Sequence, residues 1–339
     1  MLDDDRYGRD AAVLEAVRDA APAEDRGADV GPTMERLLAS GLLDAPDPVA
    51  LARALVAIAE ANLPAARLAE GHVNALRLVR LLGGTVRPGL HGVWGADAGA
   101  PCGADAAGLT GTKRYASGLG TVRRALVTVG RDEGTRLALV DAGNPARRRP
   151  ARWDMLGMRA TRSGEFVLDG LGAEWLGGPG DYFREPHFLG GVWRIAALQL
   201  GGTLGLLGAA RDALAAAGRL EADAQVARLG PLVARAMAAS GLVERAAEVA
   251  DGPAGIADPD RAVALSLHAR LLTEDLAQDA VAATERSVGL AHFDAAADTG
   301  RIARDLATYC RQAARDAFEQ RAGRIALGRP GPLSAFWRG

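Results

Sequence analysis

The sequence predicts a mostly helical α+β protein in which an N-terminal helical domain, a middle β domain and a C-terminal four-helix bundle follow one another. Hydrophobic residues make up 49% of the chain but aromatic residues only 4%, a balance typical of helices packed through small side chains. A helical hydrophobic period runs through both ends, whereas the middle is rich in glycine and in short β-prone runs. The chain has 339 residues, more than a single hydrophobic core usually serves, so several packed units are expected.

Residues 1–83 form the predicted N-terminal helical domain. Asp47 directly before Pro48 marks a helix start, and Gly83 marks the end of the last helix. Apolar residues recur at helical spacing in four stretches, AAVLEAVRDAA, PTMERLLASGLL, DPVALARALVAIAEANL and AARLAEGHVNALRLVRLLG.

Residues 84–186 form the predicted middle β domain. Glycine and turn residues separate three short β-prone runs, ALVTV, RLALVD and GEFVLDG. This pattern is typical of an antiparallel barrel or sandwich.

Residues 187–327 form the predicted bundle, and residues 328–339 a tail whose Phe336 and Trp337 can dock on a neighbour. The four long helical segments are Ile195–Gly218, Gln225–Val249, Arg261–Leu290 and Arg301–Ile325. The first contains IAALQLGGTLGLLGAA, which is too short for a membrane span and indicates a buried helix with glycines that admit a close neighbour. Because this helix is apolar on more than one face, we expect burial within and between subunits, as a homodimer or homotetramer.

Charge and cysteine content narrow the class of partner. The 40 basic and 42 acidic residues nearly cancel, which argues against a nucleic acid or an anionic membrane as partner. Cys102 and Cys310 are too few for a disulfide framework or a cysteine metal site. The acidic start MLDDDRYGRD lacks the pattern of a signal peptide, so a cytoplasmic location is expected.

Lys113 is the only lysine in the chain and lies in the stretch GLTGTKRYASG. Lysine and arginine are not interchangeable in a tight polar turn, so this ammonium group indicates a specific local structure. A chance lysine on a solvated loop is the alternative.

Four stretches resemble motifs of the acyl-CoA dehydrogenase superfamily, which includes a branch of flavin monooxygenases. AEGHVNALRLVRLLGG resembles the family's helix beside the flavin, and LTGTKRYASG resembles its strand and turn G-x-K-x-W/F-I-S/T-x-G. WDMLGMRATRSGEFVLDG resembles the G-x-R-x-T/S-x-S segment that closes the β domain, and RIARDL resembles the R-x-x-R-D helix. The motifs occur in the family's order, with the family's domain types between them.

The resemblance implies FAD as the cofactor, bound without a Rossmann unit. It places Tyr115 and Ser117 against the flavin ring, where an aromatic face and a hydroxyl tune hydride transfer. Ser117 as an ordinary turn serine is the alternative. Trp94 and Gly95 fall where the family has a further backbone contact to the flavin.

The resemblance also implies a site for the dinucleotide tail. Arg219 and Gln225 match the arginine and glutamine that hold this tail, although the F-G-x-P insert between them is missing here. An Arg219 that simply faces solvent at a helix end is the alternative. The stretch SVGLAHF stands where the family's partner subunit contributes a glycine-rich turn.

Both family positions for the catalytic glutamate are vacant. Ala313 occupies the position that follows the R-D pair, and Trp193 occupies the position before Arg194 on the first bundle helix. Gln312 stands where the monooxygenase branch has a histidine.

Three residues remain candidates for a base. Glu70 and His72 lie on the helix beside the flavin, and Asp316 lies after the R-D motif. A structural role for His72 and an exposed position for Asp316 are the alternatives. The histidines show no metal-ligand spacing, so no metal is expected.

The sequence supports three hypotheses on function. The first is an FAD-dependent dehydrogenase that desaturates an acyl thioester of CoA or of an acyl carrier and passes electrons to a partner protein. The second is a flavin monooxygenase supplied by a separate flavin reductase. The third is a paralogue without catalytic activity that binds flavin as a subunit of a complex.

Overall fold

The computed structural model describes residues 2–45, 47–150, 153–311 and 313–338. Four helices come first, as the sequence predicted: α1 (Leu2–Asp25), α2 (Gly31–Ser40), α3 (Pro48–Ala61) and α4 (Leu63–Leu81). Local capping explains where α3 begins, because Asp47 Oδ1 accepts the backbone N–H groups of Val49 and Ala50, both at 2.9 Å.

The middle of the chain forms short strands. They are β1 (His91–Trp94), β2 (Gly103–Asp105), β3 (Gly108–Thr110), β4 (Thr112–Lys113), β5 (Arg124–Val129), β6 (Arg136–Asp141), β7 (Arg148–Arg149), β8 (Glu165–Val167) and β9 (Glu174–Leu176). The largest sheet has the order β1-β5-β6-β9, beside a β2-β3 pair and a β4-β8-β7 sheet. The prediction of an antiparallel domain was wrong at one place, because β1 and β5 pair in parallel across a long connection.

The C-terminal part is again helical. It contains α5 (Trp193–Ala216), α6 (Asp223–Ala250), α7 (Pro253–Ala257), α8 (Pro259–Val288), α9 (Asp298–Tyr309), α10 (Arg315–Leu327) and α11 (Ala335–Arg338). Helix α5 packs against α6, α8 and α9, and α10 packs against α8. The predicted fourth long helix is therefore two helices, since α9 ends at Tyr309 and α10 begins at Arg315, directly after Ala314 with its left-handed φ of 64°.

Two glycines of α5, Gly201 and Gly205, face α3 of the same chain. A Cβ on Gly201 would lie 2.2 Å from the Val56 carbonyl oxygen, and a Cβ on Gly205 would lie 2.6 Å from that of Glu60. A helix contact within the subunit thus explains Gly201 and Gly205, and these two glycines do not by themselves require a second subunit.

Two helices are long and apolar enough to cross a membrane by length and composition alone. The first, Leu189–Ala216, is 72% buried over its apolar window, as a core helix is. The second, α6, is only 22% buried there and exposes Val226, Val233 and Met237. The absence of a membrane span therefore stays a prediction.

The tail docks on its own chain. Phe336 is buried, its carbonyl accepts a 2.8 Å hydrogen bond from Arg261 Nε, and its ring lies edge-on to His268 on α8. The sequence had suggested that Phe336 and Trp337 dock on a neighbour, but in the structure α11 covers α8 of the same subunit.

Candidate active site

Lys113 is fully buried and ties three segments of the β region together. Its Nζ donates to Asp97 Oδ1, to Thr128 Oγ1 at 2.8 Å and to the Gly95 carbonyl at 3.5 Å. Only a slender side chain with a compact ammonium group can meet three acceptors in this way. The lysine is thus structural, and the alternative of a solvated loop residue was wrong.

Trp94 lies directly behind Ser117. Its indole Nε1 donates a 3.0 Å hydrogen bond to the Ser117 carbonyl, and its ring packs against Phe166. The Gly95 carbonyl accepts a hydrogen bond from Thr128 Oγ1 at 2.7 Å. Neither Trp94 nor Gly95 lines the cavity described next: Trp94 is buried in the hydrophobic core, whereas Gly95 is exposed.

A cavity of about 430 Å³, here called the central cavity, lies between the β region, α4 and the end of α9. Its lining residues are Arg67, Tyr115, Ser117, Trp153, Met155, Met158, Thr161, Ser163, Thr308, Tyr309 and Arg311. Tyr115 and Ser117, the two predicted ring contacts, are therefore both at its wall. Their role in flavin binding stays a prediction.

Three hydroxyl groups form a row in the wall. Ser163 Oγ lies 3.1 Å from Ser117 Oγ and 2.8 Å from Thr161 Oγ1, and Thr161 also donates to the Met158 carbonyl at 2.7 Å. The rotating hydroxyls of such a chain can each donate or accept. The row can thus present hydrogen bonds to a polar ring edge.

Aromatic side chains form the rest of the wall. Tyr115 has a left-handed φ of 55° and is 52% exposed, and its ring meets Trp153 edge to face at 6.1 Å. Tyr309 enters from the end of α9. Burial, with the nearby Glu70 carboxylate second, raises the Tyr309 pKa well above its usual range, so its hydroxyl stays protonated.

Glu70 lies behind the cavity wall and contacts one of its arginines. Glu70 Oε2 accepts a 2.7 Å hydrogen bond from Arg67, whose side chain lines the cavity. Arg194 Nε lies 4.0 Å from the other Glu70 oxygen. The carboxylate predicted as a base is therefore engaged by arginine.

His72 connects α4 to the β region. Its Nδ1 accepts the backbone N–H of His91 at 3.1 Å, which requires that this nitrogen be unprotonated. Burial, together with the neighbouring His91 ring, lowers the His72 pKa to about 4. His72 does not line the central cavity, and its geometry favours the structural alternative over a catalytic role.

The other candidate base positions lie outside the cavity wall. Asp316 is exposed in the first turn of α10, and the exposed Ala313 offers its carbonyl to Arg270 at 3.3 Å. Trp193 is wholly buried, with the Arg194 guanidinium over its ring. Gln312 lies outside the described residues.

The predicted contacts to a dinucleotide tail lie together at the ends of α5, α6 and α8. Arg219 donates to the Ser287 carbonyl at 3.1 Å, while Arg228 donates to Gln225 Oε1 at 3.0 Å and to Ser287 Oγ at 3.2 Å. Arg219 and Gln225 thus converge on SVGLAHF, but neither lines the central cavity.

Sequence reasoning missed several cavity residues. Arg67 and Arg311 lie outside the quoted motifs, whereas Trp153 begins the quoted stretch WDMLGMRATRSGEFVLDG but was not singled out within it. The motif RIARDL did contain a signal, because buried Asp305 accepts the Met158 backbone N–H and so fastens the turn that bears Thr161 and Ser163 to α9. Burial raises the Asp305 pKa to about 6.

No model of a known protein family matches the chain, and no curated protein matches it. Solved structures do match. The chain is similar to TdsC, a dibenzothiophene monooxygenase from Paenibacillus sp. A11-2, in its complex with FMN and indole, with a TM-score of 0.80, 19% identity and coverage of 98% of this chain and 99% of that chain.

Two further structures are similar over nearly the whole chain. One is the nitrososynthase from Micromonospora carbonacea var. africana, with a TM-score of 0.75, 20% identity and coverage of 94% and 95% of the two chains. The other is butyryl-CoA dehydrogenase from Megasphaera elsdenii, with a TM-score of 0.73, 15% identity and coverage of 96% and 98%. As its sequence motifs predicted, the chain has the fold of the acyl-CoA dehydrogenase superfamily.

Proposed function

We propose that the protein is a flavin-dependent monooxygenase. It uses reduced flavin, supplied by a separate reductase, to place one oxygen atom of O₂ on an organic substrate while the other atom leaves as water. The observation that carries this proposal is the lining of the central cavity, which among the described residues includes no carboxylate. Desaturation of an acyl thioester needs a base that reaches the α-proton, whereas an oxygenase does not.

The wall chemistry fits a flavin ring. A flavin is a flat aromatic system with polar edges, and the cavity offers Tyr115 and Trp153 beside the hydroxyl row. When bound, the flavin supplies the two electrons that reduce one oxygen atom to water. Ser117 would hold a polar edge of the ring, while Tyr115 and Trp153 would cover apolar surface.

The chain's own residues fix this arrangement. Trp94 holds the Ser117 backbone, and Ser163 holds its hydroxyl. Arg67 places a cation at the cavity that can stabilise negative charge on a bound ring, and Glu70 orients that cation. The protonated Tyr309 hydroxyl lies at the α9 side of the cavity.

FAD and a homo-oligomer belong to the same proposal. The resemblance supports FAD, with Arg219 and Gln225 at its tail, whereas TdsC has FMN bound. Arg219 and Gln225 line no part of the central cavity of their own chain. If they hold the tail of an FAD bound in that cavity, we expect a second copy of the chain to supply them. Equilibrium binding of FAD and FMN, with sedimentation of the loaded protein, tests both points.

A two-armed experiment tests the reaction. In the first arm, flavin-loaded protein is mixed anaerobically with butyryl-CoA, and we expect no bleaching of the flavin absorbance. In the second, the protein receives a flavin reductase, NADH, ¹⁸O₂ and a panel of aromatic compounds that includes indole, and we expect a product that carries one ¹⁸O atom. Bleaching in the first arm would refute the oxygenase and support the dehydrogenase.

Variants link the reaction to the cavity. Ser117→Ala should weaken flavin binding about tenfold, because it removes one hydrogen bond to the ring. Arg131→Gln is the matched control, since Arg131 is exposed in the β region and does not line the cavity. A protein that binds neither FAD nor FMN would refute the proposal and would also refute the flavin-binding subunit. A protein that binds flavin but gives no reaction in either arm would leave the flavin-binding subunit.

Acyl thioester desaturation is the second candidate, and the position of Glu70 favours it. This buried carboxylate is one side chain away from the cavity, through Arg67. If butyryl-CoA bleaches the flavin, Glu70→Gln should abolish the bleaching, whereas Asp316→Asn should not. If butyryl-CoA still bleaches the flavin in Glu70→Gln, Glu70 is not the base.

A further inference from the structure

A second cavity of about 540 Å³ adjoins the central cavity. Trp153, Met155 and Ser163 line both cavities, so they form the partition between them. The second cavity is here called the arginine cavity, because its lining includes Arg148, Arg159 and Arg162 beside the end of α1.

One turn of the chain serves both cavities. Met158 and Thr161 line the central cavity, whereas Arg159 and Arg162 line the arginine cavity. Asp305 fastens this turn through the Met158 backbone N–H. A ligand with a ring in one cavity and a charged arm in the other is thus within reach of a single rigid element.

Among the described residues, Arg148 and Arg159 form no ion pair and Arg162 forms one long pair, although Glu24, Asp25 and Asp154 line the same cavity. Arg148 and Arg162 donate to the carbonyls of Gly143 and Gly27, at 2.6 and 2.9 Å. The carboxylate that Arg162 approaches, Asp29, is 4.0 Å away. Arg148 Nε is buried and has no hydrogen-bond partner.

Arg159 is the most available of the three. It is exposed, and among the described residues its side chain forms no hydrogen bond or ion pair. Forked guanidinium groups bind phosphate in a bidentate manner. The arginine cavity therefore has the donors that a phosphate group requires.

The wall of the arginine cavity at the end of α1 is acidic, because Glu24 and Asp25 line it. Glu24 is satisfied, because its two oxygens accept from Thr33 at 2.5 Å and from Asn62 at 2.7 Å. Asp25 is 8% exposed, and its Oδ1 is buried without a hydrogen-bond partner, while its Oδ2 lies 3.4 Å from Arg304. This unpaired carboxylate oxygen lacks a donor that a ligand hydroxyl could supply.

We propose that the arginine cavity binds a phosphorylated polyol, with the phosphate at Arg159, Arg162 and Arg148 and a hydroxyl at Asp25. This chemistry has two sources. It is the ribityl phosphate of the flavin, or it is a sugar phosphate that belongs to a separate ligand. The first source rests on the proposed flavin site, and the second does not.

Two binding measurements on purified protein distinguish the sources. FMN and riboflavin differ only in the phosphate, so the ratio of their dissociation constants reports contact with the flavin's own phosphate. Ribose 5-phosphate and ribose, titrated calorimetrically into flavin-free protein, report a separate sugar phosphate. Arg159→Gln and Arg162→Gln are the test variants, and Arg131→Gln is the exposed control.

The flavin source predicts that FMN binds at least tenfold tighter than riboflavin and that both test variants remove most of this preference. The separate source predicts equal binding of the two flavins, with submillimolar binding of ribose 5-phosphate that falls at least tenfold in both variants. The proposal is overturned if the variants change neither measurement. If the protein binds ribose 5-phosphate but no flavin, the proposed flavin-dependent function is refuted, whereas the proposal for the arginine cavity stands.

Discussion

Replacement of Lys113 by methionine removes the ammonium group but keeps an unbranched chain of similar length. The Lys113 side chain is fully buried, whereas its partner Asp97 is 21% exposed. Loss of one partner of a buried ion pair typically costs about 3–5 kcal/mol, because it leaves an uncompensated charge. Since water reaches Asp97, we expect the lower end, a loss of about 3 kcal/mol in the free energy of unfolding.

The contacts around Lys113 refine this expectation. The Thr128 hydroxyl keeps its 2.7 Å hydrogen bond to the Gly95 carbonyl, so the change leaves Asp97 as the main unpaired group. Asp97→Asn in the Lys113→Met background should then recover at least about 1 kcal/mol. Lys113→Arg should cost about 1–3 kcal/mol, because a planar guanidinium does not fit the space of an ammonium group.

Urea unfolding, followed by far-ultraviolet circular dichroism and by tryptophan fluorescence, measures these differences. Arg131→Gln serves as the exposed control and should leave the midpoint unchanged. An unchanged midpoint for Lys113→Met would refute the assigned structural role. A double variant no more stable than Lys113→Met would show that the carboxylate is not the source of the loss.

Two further predictions concern pH and packing. Folding lowers the His72 pKa from 6.5 to about 4. As pH falls, His72 therefore takes up a proton in the unfolded chain before it does so in the folded protein. We expect the free energy of unfolding to fall by about 3 kcal/mol between pH 6.5 and about 4. Asp305, with its raised pKa, acts in the opposite direction over part of this range, so the measurement is the difference in unfolding free energy between parent and His72→Gln, which should shrink as pH falls. Gly201→Ala should destabilise by about 1–3 kcal/mol because its Cβ meets the Val56 carbonyl, whereas Gly208→Ala, with open space around it, should stabilise by about 0.5–1 kcal/mol. Thermal unfolding measures both glycine variants. Equal shifts of the melting temperature in Gly201→Ala and Gly208→Ala would contradict the α3–α5 packing.

Features with a local cause were predictable from the sequence. The start of α3 follows from Asp47 and Pro48, whose capping chemistry acts within one turn. Tyr115 and Ser117, which the motif singled out, both line the central cavity, and their contact with a flavin stays a prediction. Helix periods placed α5, α6 and α8 within a few residues of their observed ends.

Features that depend on distant contacts were not predictable. The parallel pairing of β1 with β5 depends on strands separated by a long connection, and no local pattern encodes it. The end of α9 at Tyr309 has no glycine or proline to mark it, and Arg270 from α8 holds the chain just beyond it. Arg67 and Trp153 meet at the cavity only because three parts of the fold converge there.

The solitary, buried Lys113 also makes the protein an unusual target for chemical labelling. Amine-reactive reagents have two kinds of target here, the terminal α-amino group and one ε-amino group that solvent does not reach. Folded protein should therefore accept a single label at the chain terminus. The fraction of molecules that carry a second label, measured by mass spectrometry, would then report how often the β region opens.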